Sequence, residues 1–420
     1  MPPVLNPHWP RGPTNRLHDA ARSGSVRQTV ALLARGSINI DLGDPEGCTP
    51  LFIAALEDHP TVVDVLLKGG ASVAIANNAN CTPLHVAALR GHIGITHMLL
   101  RAGSEPNAAN VDGQRPLHMA AGDGHSPVTR MLLRAGADPD ACDIKGHAAL
   151  YPAAFGGHLS VCRDLLDANA KPGRVRAGSS LVPLDVAAQN GHSAVMHELL
   201  KLGVEACSSG GGGVEALCLA AKHERVEAML ILRKAGVVDT GEALINAVTV
   251  GSSTSAKFLL HQHQQPPDYV NFHKEMGLTP IISGAYSASP RIVRMLLDHG
   301  ADESLVVLAP NQAGGAFESS AMDLVVRNLE WKELQGVTAT EEQLYRLESI
   351  RRLLLQAEAV RAVSWVWPGR NTGRVTHCEK LGPRKSAATP LETKWPTTRS
   401  CYLLPGRVLM ATLVRWVALQ

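Results

Sequence analysis

Eighteen histidines in 420 residues raise the question of metal chemistry first. Five of them, His59, His92, His125, His158 and His192, recur at intervals of 33 or 34 residues. Two more, His85 and His118, share a second register 33 residues apart. Such regularity argues against a metal site. Equivalent residues of neighbouring structural units lie roughly one helix-packing distance apart, ~8–10 Å, whereas zinc–nitrogen bonds are ~2.0–2.1 Å. The reading favoured here is structural: each imidazole hydrogen-bonds local backbone and braces a turn. His197-Glu198 is the nearest approach to a metalloprotease helix, but Lys201 stands where the second histidine belongs. The run Gly210 to Gly213 is followed by Val214-Glu215 instead of the Lys-Ser/Thr a phosphate loop needs, so it reads as a loop tip. No Gly-x-Ser-x-Gly elbow occurs. The eight cysteines form no Cys-x-x-Cys pair and read as free thiols of a reducing compartment. The chain therefore reads as a non-enzyme, with no metal, no cofactor and no small-molecule substrate.

The positioning elements explain the histidine spacing. Leu17, Leu51, Leu84, Leu117, Leu150, Leu184, Leu217, Leu244 and Ile281 each open the same pattern. A pair of small residues follows three positions later, as in Ala87-Ala88, and a leucine fifteen positions later, as in Leu99. In the third copy Thr82-Pro83 opens a helix, because proline is tolerated in a first turn and Thr can cap it. Leu84, Ala87 and Ala88 then share one helical face. Gly91 ends that helix, Ile95, Met98 and Leu99 form the apolar face of a second one, and Gly103 closes it. The Asp112-Gly113 pair marks a turn or hairpin between copies. Neither helix reaches the ~12–15 residues at which an isolated helix is even marginal. The copies must stack to bury their apolar faces.

Thr82-Pro83-Leu84-His85-Val86-Ala87 and Arg115-Pro116-Leu117-His118-Met119-Ala120, with the recurring Gly-His, Leu-Leu and Gly positions, resemble ankyrin repeats. The resemblance covers roughly residues 14–302, with a degenerate continuation to about 358. It implies an all-α fold: a solenoid of stacked helix-turn-helix units with projecting loops or hairpins. Asn169 stands where a closing glycine is usual, and His263 takes that place in the eighth copy. The eighth copy, between a clipped loop and an enlarged one (His261 to Gly277), is expected to be the weakest link. A divergent terminal unit is expected over about 320–358. Met322, Val325 and Val326 stand in its first helix, and Leu344, Leu347, Ile350, Leu353 and Leu354 line its second.

The resemblance also implies that a protein partner binds at the projecting fingers and at the concave face of the first helices. The fingertip candidates are Asn77, Asn78, Asn80, Val111, Asp112, Ile144 and Lys145, with Arg174 and Arg176 making the sixth finger basic. On the first helices they are Leu89, Arg90, Asp123, Phe155, Gln189, Asn190, Lys222 and His223. Phe155 stands out as a large aromatic in a chain that is 4% aromatic; the competing reading packs it on the adjacent copy.

The formal charge of +2 conceals an asymmetry. From Arg361 onward there are ten Lys/Arg against two Asp/Glu, together with four of the six tryptophans. Residues 1–13 read as a disordered terminus, 14–358 as the solenoid and 359–420 as a basic, Trp-containing tail. The tail admits three readings: a disordered appendage, a binder of nucleic acid or anionic membrane, or a chain end that packs on nothing. The expectation is a monomeric scaffold or adaptor, cytoplasmic or nuclear, without a signal peptide or transmembrane helix. The alternative is a peripheral membrane- or nucleic-acid-associated factor acting through the tail.

Overall fold

A computed structural model describes residues 16–35, 38–173, 181–203, 213–239, 241–261, 269–271, 279–302, 306–310, 316–321 and 341–366. The chain divides into two compact units, Met1–Tyr269 and Val270–Gln420. The first unit holds eight copies of one helix pair. These are Arg16–Arg22 with Val26–Leu33, Pro50–Leu56 with Pro60–Lys68, Pro83–Arg90 with Ile93–Arg101, and Pro116–Gly122 with Ser126–Arg134. Then follow Leu150–Gly156 with Leu159–Asp167, Pro183–Asn190 with Ser193–Leu200, Val214–Lys222 with Val226–Lys234, and Glu242–Thr249 with Ser253–Leu260. Within this unit every first helix packs on the first helix of the next copy, and second helices pack on second helices.

Local chemistry starts and stops these short helices. Thr49 Oγ1 accepts from the N–H of Phe52 at 3.2 Å, satisfying one of the donors a helix start leaves open. The third, fourth and sixth copies reverse the direction of the cap. His85 Nδ1 accepts from Thr82 N–H (3.1 Å), His118 Nδ1 from Arg115 N–H (3.2 Å), and an Asp185 carboxylate oxygen from Val182 N–H (2.9 Å). The first helix of the third copy ends at Gly91, φ +73°, and the second helix of the fifth ends at Asn169, φ +63°. Asn tolerates the left-handed conformation, as expected of that substitution.

The core is a column of marker leucines and small residues. Leu51, Leu84, Ala87, Ala88, Leu99, Ala120, Ala121, Leu132 and Leu165 have no exposed surface. Alanine pairs allow the first helices to approach closely, and each fully buried leucine contributes about 1.5–3 kcal/mol of transfer free energy.

In the second unit, the ninth copy is Pro280–Tyr286 with Pro290–Asp298. Next comes an antiparallel hairpin of Val306–Pro310 with Ala316–Ser320, pairing Leu308 with Glu318. The expected fold allowed for projecting loops or hairpins, and the β-branched Val306-Val307 run suits a pleated strand. The helix Glu341–Val366 packs on Pro290–Asp298 and buries Leu347, Ile350 and Leu354, while Leu353 is half-buried. It runs through the expected boundary at 358. Met322, Val325 and Val326 lie outside the described residues, as does everything beyond Val366.

Candidate functional site

Two sets of side-chain bridges fix the geometry of the fingers and of the first-helix ends. The first set is the histidine ladder. His59 Nε2 meets the carbonyl of Arg22 at 3.1 Å, His92 that of Leu56 at 3.3 Å, and His125 that of Leu89 at 2.9 Å. His158 meets Gly122 and His192 meets Phe155, both at 2.9 Å. Arg225 Nε continues the series to Gln189 at 3.2 Å. These bonds correct one expectation: the imidazoles engage backbone of the preceding copy, not their own turn. They occupy the last carbonyls of each first helix, which lack partners within the helix. The second histidine register reaches forward. His18, His85 and His118 Nε2 meet the carbonyls of Cys48, Gln114 and His147 at 3.0–3.1 Å.

His85 holds both ring nitrogens in fixed roles, Nδ1 accepting and Nε2 donating, so only the neutral ring fits. Burial pushes its pKa down to about 4, and burial lowers that of His118 as well. Asp185, at the equivalent place in the sixth copy, is pushed up by burial to about 7 against the bond from Val182 N–H.

Four of the described fingers are each built around one Asx residue. Asp44, Asn77, Asn110 and Asp143 Oδ1 each accept from the backbone N–H groups two and four residues on, at 2.8–3.1 Å. Neighbouring fingers are then tied by backbone bonds: Asn78 N–H to Glu46, Val111 N–H to Ala79 and Ile144 N–H to Asp112, at 2.9–3.1 Å. Among the candidates, Asn78 Nδ2 donates to Pro45 O (3.0 Å) and Asn80 Nδ2 to Ala109 O (2.6 Å). These amides therefore brace fingers. Asn190 Nδ2 joins His192 on the carbonyl of Phe155, at 3.1 Å. Gln189 lies 3.3 Å from His223 Nε2.

Several of the remaining candidates are exposed. Val111 and Ile144 are 61% and 65% exposed on adjacent fingertips, and Phe155 is 55% exposed. The reading that packs Phe155 on a neighbour does not fit that exposure. Arg90, Asp123 and Lys145 are exposed, and Leu89 and Asp112 half-buried. Arg174 and Arg176 lie outside the described residues. One feature missed in the sequence is the parallel stack of His147, just ahead of the helix, on Tyr151 in its first turn, with ring centroids 3.7 Å apart.

Gly210 to Gly212 lie outside the described residues, and the other groups considered for catalysis are held or buried. Glu198 holds Arg163 and Lys201, each at 2.9 Å, and these hydrogen bonds keep its carboxyl below the usual range. Burial raises the Cys48 and Cys162 thiols to about 12, so neither is a ready nucleophile. Among the described residues no three potential ligands converge on a metal position, and no helix is long and apolar enough to cross a membrane.

A column of paired short helices with side-chain bridges at a fixed period is a helical repeat solenoid. The ankyrin-repeat family model, three copies, matches residues 17–110 and 98–176, so the N-terminal region of this chain carries ankyrin repeats. Such repeats are generally protein–protein interaction modules and typically non-enzymatic. No curated protein matches the chain.

Proposed function

We propose that this protein is a non-enzymatic scaffold or adaptor that binds a protein partner through its fingertips and the inner ends of its first helices. The observation that carries this reading is Phe155. Its carbonyl is held by two donors from the next copy, Asn190 and His192, while its ring stays 55% exposed. A backbone fixed before binding leaves only the ring to be ordered on association, which suits an interface anchor. Val111 and Ile144 add apolar tips on fingers tied to one another by backbone bonds. Scattered exposed apolar residues are ordinary on any protein; three on braced platforms of adjoining copies are a surface.

The test is a cross-linking pull-down comparing the wild-type chain with a Val111→Asp, Ile144→Asp, Phe155→Ala variant. The expected result is loss of the specifically captured proteins by roughly tenfold or more. An unchanged set contradicts the reading. Removal of residues 361–420 provides the other arm: if that alone abolishes capture, or abolishes retention on anionic vesicles or nucleic acid, the tail is the binder. A cytoplasmic or nuclear location and a monomeric state belong to the same proposal.

A further inference from the structure

We propose that Asp185 makes the sixth copy a pH-sensitive joint, held most firmly in mildly acidic medium and loosened as the pH rises through neutrality. The joint exists whether or not the inner face binds a partner.

Asp185 follows the marker leucine Leu184, a position filled by His85 and His118 in the third and fourth copies. There a neutral ring plays two parts. Its Nδ1 accepts from the N–H that opens the helix, and its Nε2 donates forward to the next finger. A carboxylate keeps only the first part. Asp185 accepts from Val182 N–H at 2.9 Å, the carboxyl's one hydrogen bond among the described residues, and only 2% of the residue is exposed. An ionised carboxylate has no proton to donate; the protonated acid has one. The neutral acid is the closer analogue of the histidine.

The surroundings offer the charge no counterion. The Pro183–Asn190 helix packs on Leu150–Gly156, Val214–Lys222 and Ser193–Leu200. The first presents the Tyr151 phenol, which burial and the negative charge of Asp185 keep protonated. The second presents Glu215, a like charge; its Lys222 and the following His223 lie at the far end, where His223 meets Gln189. On the third, Glu198 is taken up by Arg163 and Lys201, and His197 is exposed. Burial, helped by Glu215, outweighs the bond from Val182 N–H and pushes the Asp185 carboxyl up to about 7.

The folded copy thus keeps a proton that the unfolded chain, with Asp at 3.8, has already lost. Its stability falls as the pH rises toward and through 7. The same helix ends at Asn190, which with His192 holds the Phe155 carbonyl, so that contact spans the joint.

Hydrogen exchange of the full-length protein at pH 6 and pH 8, corrected for the intrinsic rate at each pH, tests this. In the wild type, opening of residues 183–190 should increase about tenfold over that range. The third-copy helix Pro83–Arg90 should instead gain protection, because His85 is neutral when folded. Asp185→Asn keeps an acceptor for Val182 N–H but cannot ionise. Its opening should stay level, which separates Asp185 from His192, His197 and His223. Should that variant fail to fold, Asp185→His carries the test, with the trend reversed. No increase in the wild type, or the same increase in the variant, overturns the proposal. No partner enters the measurement, so its failure leaves the binding role of Phe155 untouched.

Discussion

The third and eighth copies have the same helix pair and near-opposite ways of holding to the copy before. In the third copy, His92 reaches across to the Leu56 carbonyl, and its neighbours in the fourth to sixth copies do the same at 2.9 Å. In the eighth copy that position is Ser252, buried, whose hydroxyl accepts from the N–H of Ser255 within its own helix. The turn that faces it differs to match. Gly91, Gly124 and Gly157 have left-handed φ, and a Cβ on any of them would collide with the ring from the next copy. The seventh copy has Glu224 there, at φ +59°, facing the short Ser252. Glycine and histidine of successive copies are thus one device. Where the ring is gone, glycine is no longer demanded by packing. Asp58, the other non-glycine in this series among the first seven copies, coincides with the longest bond of the ladder, 3.3 Å at His92.

That contrast can be broken most severely from within the braced region. Leu132 has no exposed surface, and Leu132→Ala should cost ~2–5 kcal/mol. In a stack with nearest-neighbour energetics, the loss falls mainly on the copies around it. Hydrogen exchange should quicken across residues 93–167 more than across the eighth copy. Uniform loss of protection along the first unit would contradict this.

Acid should act on the same copies. His85 titrates at about 4 when folded, below the ordinary 6.5, so the folded state binds fewer protons than the unfolded one. Its stabilising contribution is complete above pH 6.5 and disappears as pH falls through 6.5 toward 4, amounting to about 3 kcal/mol at the limit. His118 shifts in the same direction. Urea midpoints at pH 7 and 4.5 should differ more for wild type than for His85→Gln; equal shifts would show that this ring is not the sensor.

Deleting one rung is milder. His125→Ala removes a 2.9 Å bond to a helix-end carbonyl and should cost about 1 kcal/mol. The same substitution at His92, with its longer bond, should cost less. The smallest effect is a gain. Ser252→His alone should add little, because Glu224 Cβ stands where the ring would go. Paired with Glu224→Gly, it should stabilise the eighth copy by about 0.5–1 kcal/mol, read as a raised urea midpoint. Equal results for the single and double variants would separate the glycine from the histidine.

The helix pairs were legible in the sequence because each follows from local chemistry. Proline at a first turn, the Leu/Ala-Ala face and a left-handed closing residue specify one unit without reference to its neighbours. Even Asn169 could be read correctly on that basis. What crosses between copies was not legible. His125 announces its period but not its partner, since Leu89 lies 36 residues back and only the stacking angle brings its carbonyl within reach. Asn78 and Asn80 looked like free polar fingertips for the same reason, until the neighbouring fingers were seen to accept from them. The sequence left Phe155 open between an exposed anchor and a ring packed on the next copy, and gave no sign of its doubly held carbonyl.

The central claim is that the bridges hold the stack so that fingertips and first-helix ends are left for a partner. Hydrogen exchange of the full-length protein, with and without the cross-linked partner, addresses it directly. Protection should rise at residues 108–115, 141–148 and 152–157 and stay unchanged on the second helices Ile93–Arg101, Ser126–Arg134 and Leu159–Asp167. Protection gained only on those second helices, or only beyond residue 366, would contradict the account.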